Sequence, residues 1–204
     1  MKTKDVLDKA VVYGREAEKV LNVFRHNIQD DTKVWEELVY CLCTPQTKAV
    51  NALKAVEELT GKKIMNLHEV ASVLRSCGVR FHNTKARYIV DARRKFPSIL
   101  REIRMVDDVH LLRECLVENV KGLGWKEASH FLRNLGFERV AVIDRHVLRY
   151  LLANKLVRMR PKSLSRKTYL SLEKKFIEHA DRLGVSPALL DLLIWAYAVG
   201  EVVK

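Results

Sequence analysis

No stretch of this chain reaches the roughly 18–20 consecutive apolar residues that a membrane-spanning helix needs. Charges interrupt the opening segment MKTKDVLDKAVVYGREAEK throughout, unlike the apolar core of a secretory leader. Cysteine is scarce, with Cys41, Cys43, Cys77 and Cys115 the only four in 204 residues. That is too few for a disulfide framework at this length, and their spacing fits no common zinc pattern. Cys41 and Cys43 lie in the apolar helical pattern LVYCLC and read as small buried hydrophobes. There is no glycine- or serine-rich linker, no internal repeat and no low-complexity tract. Sustained alternation of apolar and polar residues is almost missing too, which argues against a sheet. The expectation is a compact, all-helical, soluble protein of the cytoplasm with no membrane association.

What the chain has in excess is positive charge. Lysine and arginine number 37 against 25 acids, a formal net charge of +12. A balance of this size suits a polyanionic partner such as nucleic acid, and its spread along the chain suits a folded binding face better than a disordered arm. Helical periodicity runs from end to end. Residues 5–28 read as an amphipathic helix broken near Gly14, and Asp31-Thr32 starts a helix that Thr44-Pro45 stops. Helices follow over Thr47–Leu59, over His68–Arg75 before Gly78, and from Asn83-Thr84 to a stop at Pro97. Residues 107–119 form another, and Trp125–Leu135 ends at Gly136 as a left-handed cap. Asp144 caps a helix to Asn154; a basic loop Val157–Ser165 leads to helices over 166–182 and 187–198, the last opened by Ser186-Pro187.

The most informative run is Val120-Lys121-Gly122-Leu123-Gly124-Trp125-Lys126-Glu127-Ala128, followed by Val142-Ile143-Asp144-Arg145-His146. Helix, tight glycine turn, helix is a helix-hairpin-helix pattern. Gly122 and Gly124 let backbone turn tightly and approach a phosphate that a Cβ would obstruct, and amides at the next helix start can hold it. Such contacts read no base. Lys126 is an odd choice for a helix's first turn, where the dipole disfavours an ammonium; that placement favours the neutral amine a nucleophilic lysine needs. The plainer alternative is a lysine aimed at solvent or at a phosphate.

At these residues the chain resembles a known family: the helix-hairpin-helix, Gly/Pro-rich loop, aspartate superfamily of base-excision DNA glycosylases. The segment VKGLGWKEASHFLRNLGFERVAVIDRHVLRYL carries the full signature, with KGLG where many relatives have a proline. CLCTPQTKAVNALKAV and CGVRFHNTKARYIVDARRKF resemble endonuclease III-like enzymes, so the likeness runs roughly from Trp35 to Tyr150. The details KEASHFLRN, VAVIDRHVLR and DLLIWA look like the compact type-two 8-oxoguanine DNA glycosylases of archaea and some bacteria, which lack an extra amino-terminal domain. The carboxyl-terminal third holds no cysteine, unlike the iron–sulfur enzymes of the superfamily.

The resemblance implies an all-α, two-lobed glycosylase over residues 1–204. A central lobe would run over about 33–147, with the hairpin at 118–135, and a second lobe would comprise 1–32 and 148–204, with the active site in the cleft between lobes. It implies excision of 8-oxoguanine from double-stranded DNA by a DNA N-glycosylase that is also an abasic-site lyase. Lys126 would attack C1′ and form a Schiff base, and Asp144 would stabilise the cationic sugar and position or deprotonate Lys126. Asp144 as a helix cap alone is the simpler alternative. Gln46 matches a wedge that fills the hole left by the flipped base, against an ordinary polar helix start. Phe81 and Trp195 match positions that sandwich the oxidised base, though core packing is a rival for Trp195. Lys204 falls where the terminal lysine region of the group takes part in lesion recognition. His130, one turn beyond Lys126, would tune the pocket or hold a phosphate, or be a structural histidine.

Gly122, Gly124, Lys121 and Arg145 would hold DNA, and Arg80 and Lys85 offer further phosphate contacts. The hairpin carbonyls of Glu118, Val120 and Leu123 would bind a monovalent cation, K+ or Na+; no other cofactor and no iron–sulfur cluster is implied. The enzyme would act as a monomer associated with the nucleoid. Two alternatives stay open at this point: a glycosylase of the same fold for another lesion, such as an oxidised pyrimidine, and a non-catalytic hairpin module that only holds DNA.

Overall fold

The computed structural model describes residues 1–61 and 66–202. Ten helices account for its regular structure among the described residues: α1 Thr3–Asn27, α2 Asp31–Cys43, α3 Ala49–Gly61, α4 Leu67–Ser76, α5 His82–Met105, α6 Val109–Asn119, α7 Trp125–Asn134, α8 Arg145–Ala153, α9 Arg166–Leu183 and α10 Pro187–Val199. Side-chain caps start several of them; Asp144 and Ser186 are the two that the sequence leads one to expect, and the second helix is capped by Asp30 rather than opened at Asp31-Thr32. Asp30, Asn66, Asp108, Asp144, Ser165 and Ser186 each accept from an amide in the first turn that follows. Cys41, Cys43 and Cys77 are buried thiols. Burial pushes the Cys43 thiol up to about 12, so it behaves as a hydrophobe.

Two helices run on where the sequence suggests breaks. α1 continues through Gly14, because one interior glycine weakens a helix by only about 1 kcal/mol and the buried stripe Val6, Ala17, Leu21 and Phe24 spans it. α5 continues past Pro97. The proline is exposed, and Ile99 and Ile103 prolong beyond it the buried face that carries Phe96. Keeping these two large side chains out of water, at about 1.5–3 kcal/mol each, offsets the roughly 3 kcal/mol that an interior proline costs.

The chain forms two compact units: a central unit of Ile28–Phe131, and a terminal unit of Met1–Asn27 with the chain from Leu132 onward. The division therefore falls inside α7, whereas the sequence leads one to expect it after Val147. Residues 132–147 associate instead with the terminal unit. Gly136, at φ +91, closes α7 so tightly against α1 that a Cβ would sit 2.7 Å from Arg25 Cα. Arg133 forms a buried ion pair with Asp191 of α10. The buried extended stretch before α8 takes its hydrogen bonds from α9: Glu173 Oε1 accepts from the Ala141 amide at 3.0 Å, and Tyr169 Oη donates to the Ala141 carbonyl at 2.6 Å.

In the central unit α5 packs on α2 and α4, around Leu38, Leu42, Leu74, Ile89 and Ile99. In the terminal unit α1 packs on α10, whose apolar residues face inward on nearly every side. No single helix among the described residues is long and apolar enough to cross a membrane.

The Arg133–Asp191 pair has a measurable consequence. Both side chains are more than nine-tenths buried, and Arg133 also donates to Asn134 Oδ1 at 3.2 and 3.0 Å. Asp191→Ala strands a guanidinium in the core and is expected to destabilise the fold by about 3–5 kcal/mol in urea unfolding.

Candidate active site

α6, the turn of residues 120–124 and α7 form the hairpin. The Val120 amide donates back to Leu116 O, and the Leu123 amide donates to Val120 O at 3.2 Å, which reverses the chain within four residues. Gly122 makes this possible. Its φ of +94 suits glycine, and a Cβ would lie 2.5 Å from Tyr88 Cδ2 and 3.0 Å from Leu42 Cδ2. Gly124 is different: it has no left-handed backbone, and a Cβ would meet only Glu127 Oε2, at 3.1 Å. Its lack of a side chain leaves the exposed turn open in front of α7. Gly122→Ala is therefore expected to lower unfolding free energy by about 2–4 kcal/mol through backbone strain and overpacking, read as a lower urea midpoint. Gly124→Ala should shift that midpoint far less.

Lys126 sits in the first turn of α7, with its side chain 30% exposed. The ammonium is not left alone at the positive end of the helix. Glu127 Oε1 stands 3.0 Å from Lys126 Nζ, a partner the sequence reading passed over although it is the next residue. Behind them, Ser129 and Arg113 hold α7 in place. Ser129 Oγ donates to Trp125 O and accepts from the fully buried Arg113 at 2.9 Å, and the Arg113 guanidinium lies 5.1 Å from the Trp125 ring centre. His130, further along α7, stacks edge-on against Tyr40 at 5.6 Å. Lys121 is exposed on the turn.

The hairpin's oxygens also bear on cation binding. Glu118 lies in the last turn of α6 and Val120 caps it, so their carbonyls stand at the negative end of that helix's dipole. Together with the Leu123 carbonyl, this all-oxygen set suits a hard cation.

Gln46 and Phe81 share an unusual trait. Both are exposed and both have left-handed backbones, with φ values of 56 and 58. Phe81 is 55% exposed, caps α5 without a side-chain bond, and carries the Arg80 guanidinium over its ring at 5.5 Å. Lys85 corrects an expectation. It is no surface phosphate contact, being only 5% exposed, and its ammonium donates to Cys43 O at 2.7 Å, Pro45 O at 2.7 Å and Thr47 Oγ1 at 3.0 Å. Sequence spacing could not reveal this, since the acceptors come from a loop about forty residues away.

The remaining site residues belong to the terminal unit. Asp144 caps α8 with Oδ1 alone, which accepts from the amides of His146 at 2.8 Å and Val147 at 2.9 Å. The cap leaves Oδ2 uncommitted to it. Arg145 is exposed and donates through Nε to His146 Nε2 at 3.0 Å. Burial pulls the His146 pKa down against the opposing charge of Asp144, and Nε2 accepting from Arg145 leaves the proton on Nδ1. Among the described residues that buried Nδ1 has no hydrogen-bond partner, and neither does the buried indole nitrogen of Trp195, whose ring packs edge-on against His146 at 5.4 Å. Two unanswered ring N–H donors on neighbouring rings are more than plain core packing requires, and suit a ligand's acceptor atoms. Lys204 lies outside the described residues.

Comparison with known proteins accords with this geometry. A family model described as 8-oxoguanine DNA glycosylase matches residues 17–185. The 8-oxoguanine DNA glycosylase/AP lyase of Korarchaeum cryptofilum is 42% identical over 178 residues, covering 86% of this chain and 85% of that protein. Among solved structures, the 8-oxoguanine DNA glycosylase of Thermotoga maritima superposes with a TM-score of 0.91 at 33% identity, covering 98% of this chain and 97% of the other. The Methanocaldococcus jannaschii 8-oxoguanine glycosylase/lyase, in complex with a 15mer DNA containing 8-oxoguanine, gives 0.92 at 32% identity and covers 98% of each chain. With its hairpin, its signature lysine and aspartate, and a match across most of its length, this chain belongs to the 8-oxoguanine DNA glycosylase family.

Proposed function

We propose that this protein excises 8-oxoguanine from double-stranded DNA and then cleaves the strand at the resulting abasic site. The observation that carries the reading is Lys126, a half-exposed amine in the first turn of α7 directly behind the open Gly122–Gly124 turn. A module that only grips phosphate has no need of that amine or of Asp144.

The chemistry follows from the groups present. Backbone amides of the hairpin and the exposed Lys121 and Arg145 hold the sugar–phosphate chain, whatever its sequence. The damaged nucleotide leaves the stack, because its C1′ is out of reach inside the duplex. Gln46 fills the gap. Phe81 and Trp195 receive the purine faces, and the Trp195 indole N–H and His146 Nδ1, unpaired among the described residues, supply donors. His130 and Lys204 complete the contacts to the lesion.

Lys126 reacts as the free amine, its proton passing to a carboxylate such as Asp144 or Glu127. Nζ forms a bond to C1′ as the bond from C1′ to the base nitrogen breaks, and the base leaves with a proton. Asp144 offsets the positive charge that builds on the sugar. Ring opening gives an imine between Lys126 and C1′. Loss of a C2′ proton with cleavage of the C3′–oxygen bond then nicks the strand.

The carbonyls of Glu118, Val120 and Leu123 would hold a monovalent cation, whose charge would anchor a phosphate at the hairpin. No redox group enters this reaction, and no iron–sulfur cluster is part of it. One copy of the chain carries every residue named, so a monomer acting at the nucleoid in the cytoplasm suffices.

The test is a panel of duplexes with one 8-oxoguanine, one oxidised pyrimidine or no lesion, analysed with and without hot alkali. Cleavage of the 8-oxoguanine strand without alkali supports both steps. Cleavage of the pyrimidine duplex alone overturns the substrate, and binding without any cleavage overturns the enzyme.

A further inference from the structure

Three exposed or reactive features of the central unit meet at one buried cation. The loop Thr44-Pro45-Gln46-Thr47 follows α2, the turn bearing Arg80 and Phe81 precedes α5, and Lys85 lies in the first turn of α5. Thr47 Oγ1 is the shared node: it accepts from Lys85 Nζ at 3.0 Å and from the Arg80 amide at 3.2 Å. The three ammonium protons of Lys85 match its three acceptors on the loop, Cys43 O, Pro45 O and Thr47 Oγ1. Its nearest partners are dipoles rather than a carboxylate. Burial pulls its pKa down, as do the charges of Arg80 and Lys126, against Cys43 and Glu127. A lysine held so far out of water for the sake of one loop is costly unless the loop's shape matters.

That shape is strained at the two residues expected to touch the lesion strand. Non-glycine residues with left-handed backbones persist only where their surroundings over-determine them. Gln46 and Phe81 are two of the three such residues among the described residues, and they stand on the two segments that Thr47 joins.

We propose that Lys85 and Thr47 form a clasp that locks the Gln46 loop to the Phe81 turn, making Lys85 a positioning residue for base extrusion. Lys85 touches neither base nor phosphate in this role. It acts through the backbone of residues 43–47, presenting Gln46 at a set height beside Phe81. The inference rests on Gln46 serving as the wedge under the proposed function.

A double-mutant cycle on excision from an 8-oxoguanine duplex, under single turnover, tests it. Lys85→Met keeps the volume and removes the three donors. It is expected to slow excision on the order of 10²-fold, as for a misplaced contact group. On a Gln46→Ala background the same change should slow it no further, because the group it positions is gone. Thr47→Val should mimic Lys85→Met, and Thr47→Ser should restore the wild-type rate. Should Lys85→Met fail to fold, the Thr47→Val, Thr47→Ser and Gln46→Ala set closes the same cycle. A wild-type rate for Thr47→Val, or losses that multiply in the double variants, overturns the clasp. A wild-type rate for Gln46→Ala removes the wedge and the clasp with it. Excision by the wild-type chain in the same assay tests the proposed function separately from either result.

Discussion

Lys126→Gln is expected to slow base excision and strand cleavage on the order of 10⁴-fold or more, the range seen when a nucleophile is removed. Binding to lesion-containing duplex should stay within about threefold, since one cation lost among many phosphate contacts is a small part of the electrostatic affinity. The hairpin explains the separation. Under the proposed function its grip on DNA comes from backbone groups shaped by Gly122, and the hydrogen bonds that shape the turn do not involve the Lys126 side chain. Glutamine also keeps the polar length of the site and leaves the first turn of α7 to its Ser129–Arg113 support. Filter binding beside single-turnover excision reads both quantities on one preparation. A parallel fall in binding and rate would make Lys126 a phosphate clamp.

Asp144→Asn should produce the second largest loss, about 10²–10³-fold in the excision rate, as when a group that stabilises transition-state charge is removed. Its value lies in what it preserves. Asp144 caps α8 through Oδ1 alone, and asparagine offers the same acceptor with similar capping strength. Thermal stability should therefore stay close to wild type while the rate falls. Asp144→Ala removes both functions and should in addition destabilise the fold by about 1 kcal/mol. If both variants keep the wild-type excision rate and differ only in stability, Asp144 is a cap and nothing else.

Residue types whose role depends on local spacing were legible before the fold was known. The hairpin, the Asp144 cap, the left-handed stop at Gly136 and the buried Cys41 and Cys43 all follow from neighbours within a few positions. Interactions set by distant partners were not. Lys85 reads as a surface cation until a loop about forty residues earlier supplies its acceptors. Arg113 has the composition of a DNA contact, yet it lies fully buried beneath Trp125. Tyr169 and Glu173 carry no motif, although they satisfy the backbone that leads into Asp144. Pro97 misled for a related reason: a local rule against interior proline gave way to the burial of Ile99 and Ile103 beyond it. Glu127 alone was within reach, since an acid beside a first-turn lysine is visible in the motif itself.

The central claim is a covalent one: the amine of Lys126 attacks the sugar of an 8-oxoguanine nucleotide. Reduction by borohydride during the reaction, on a duplex with a single 8-oxoguanine, traps the imine as a stable amine. One protein–DNA adduct is expected with the wild-type chain, none with undamaged duplex, and none with Lys126→Gln. An adduct that persists in Lys126→Gln, or tight binding of the lesion with no adduct from the wild-type chain, would contradict the claim.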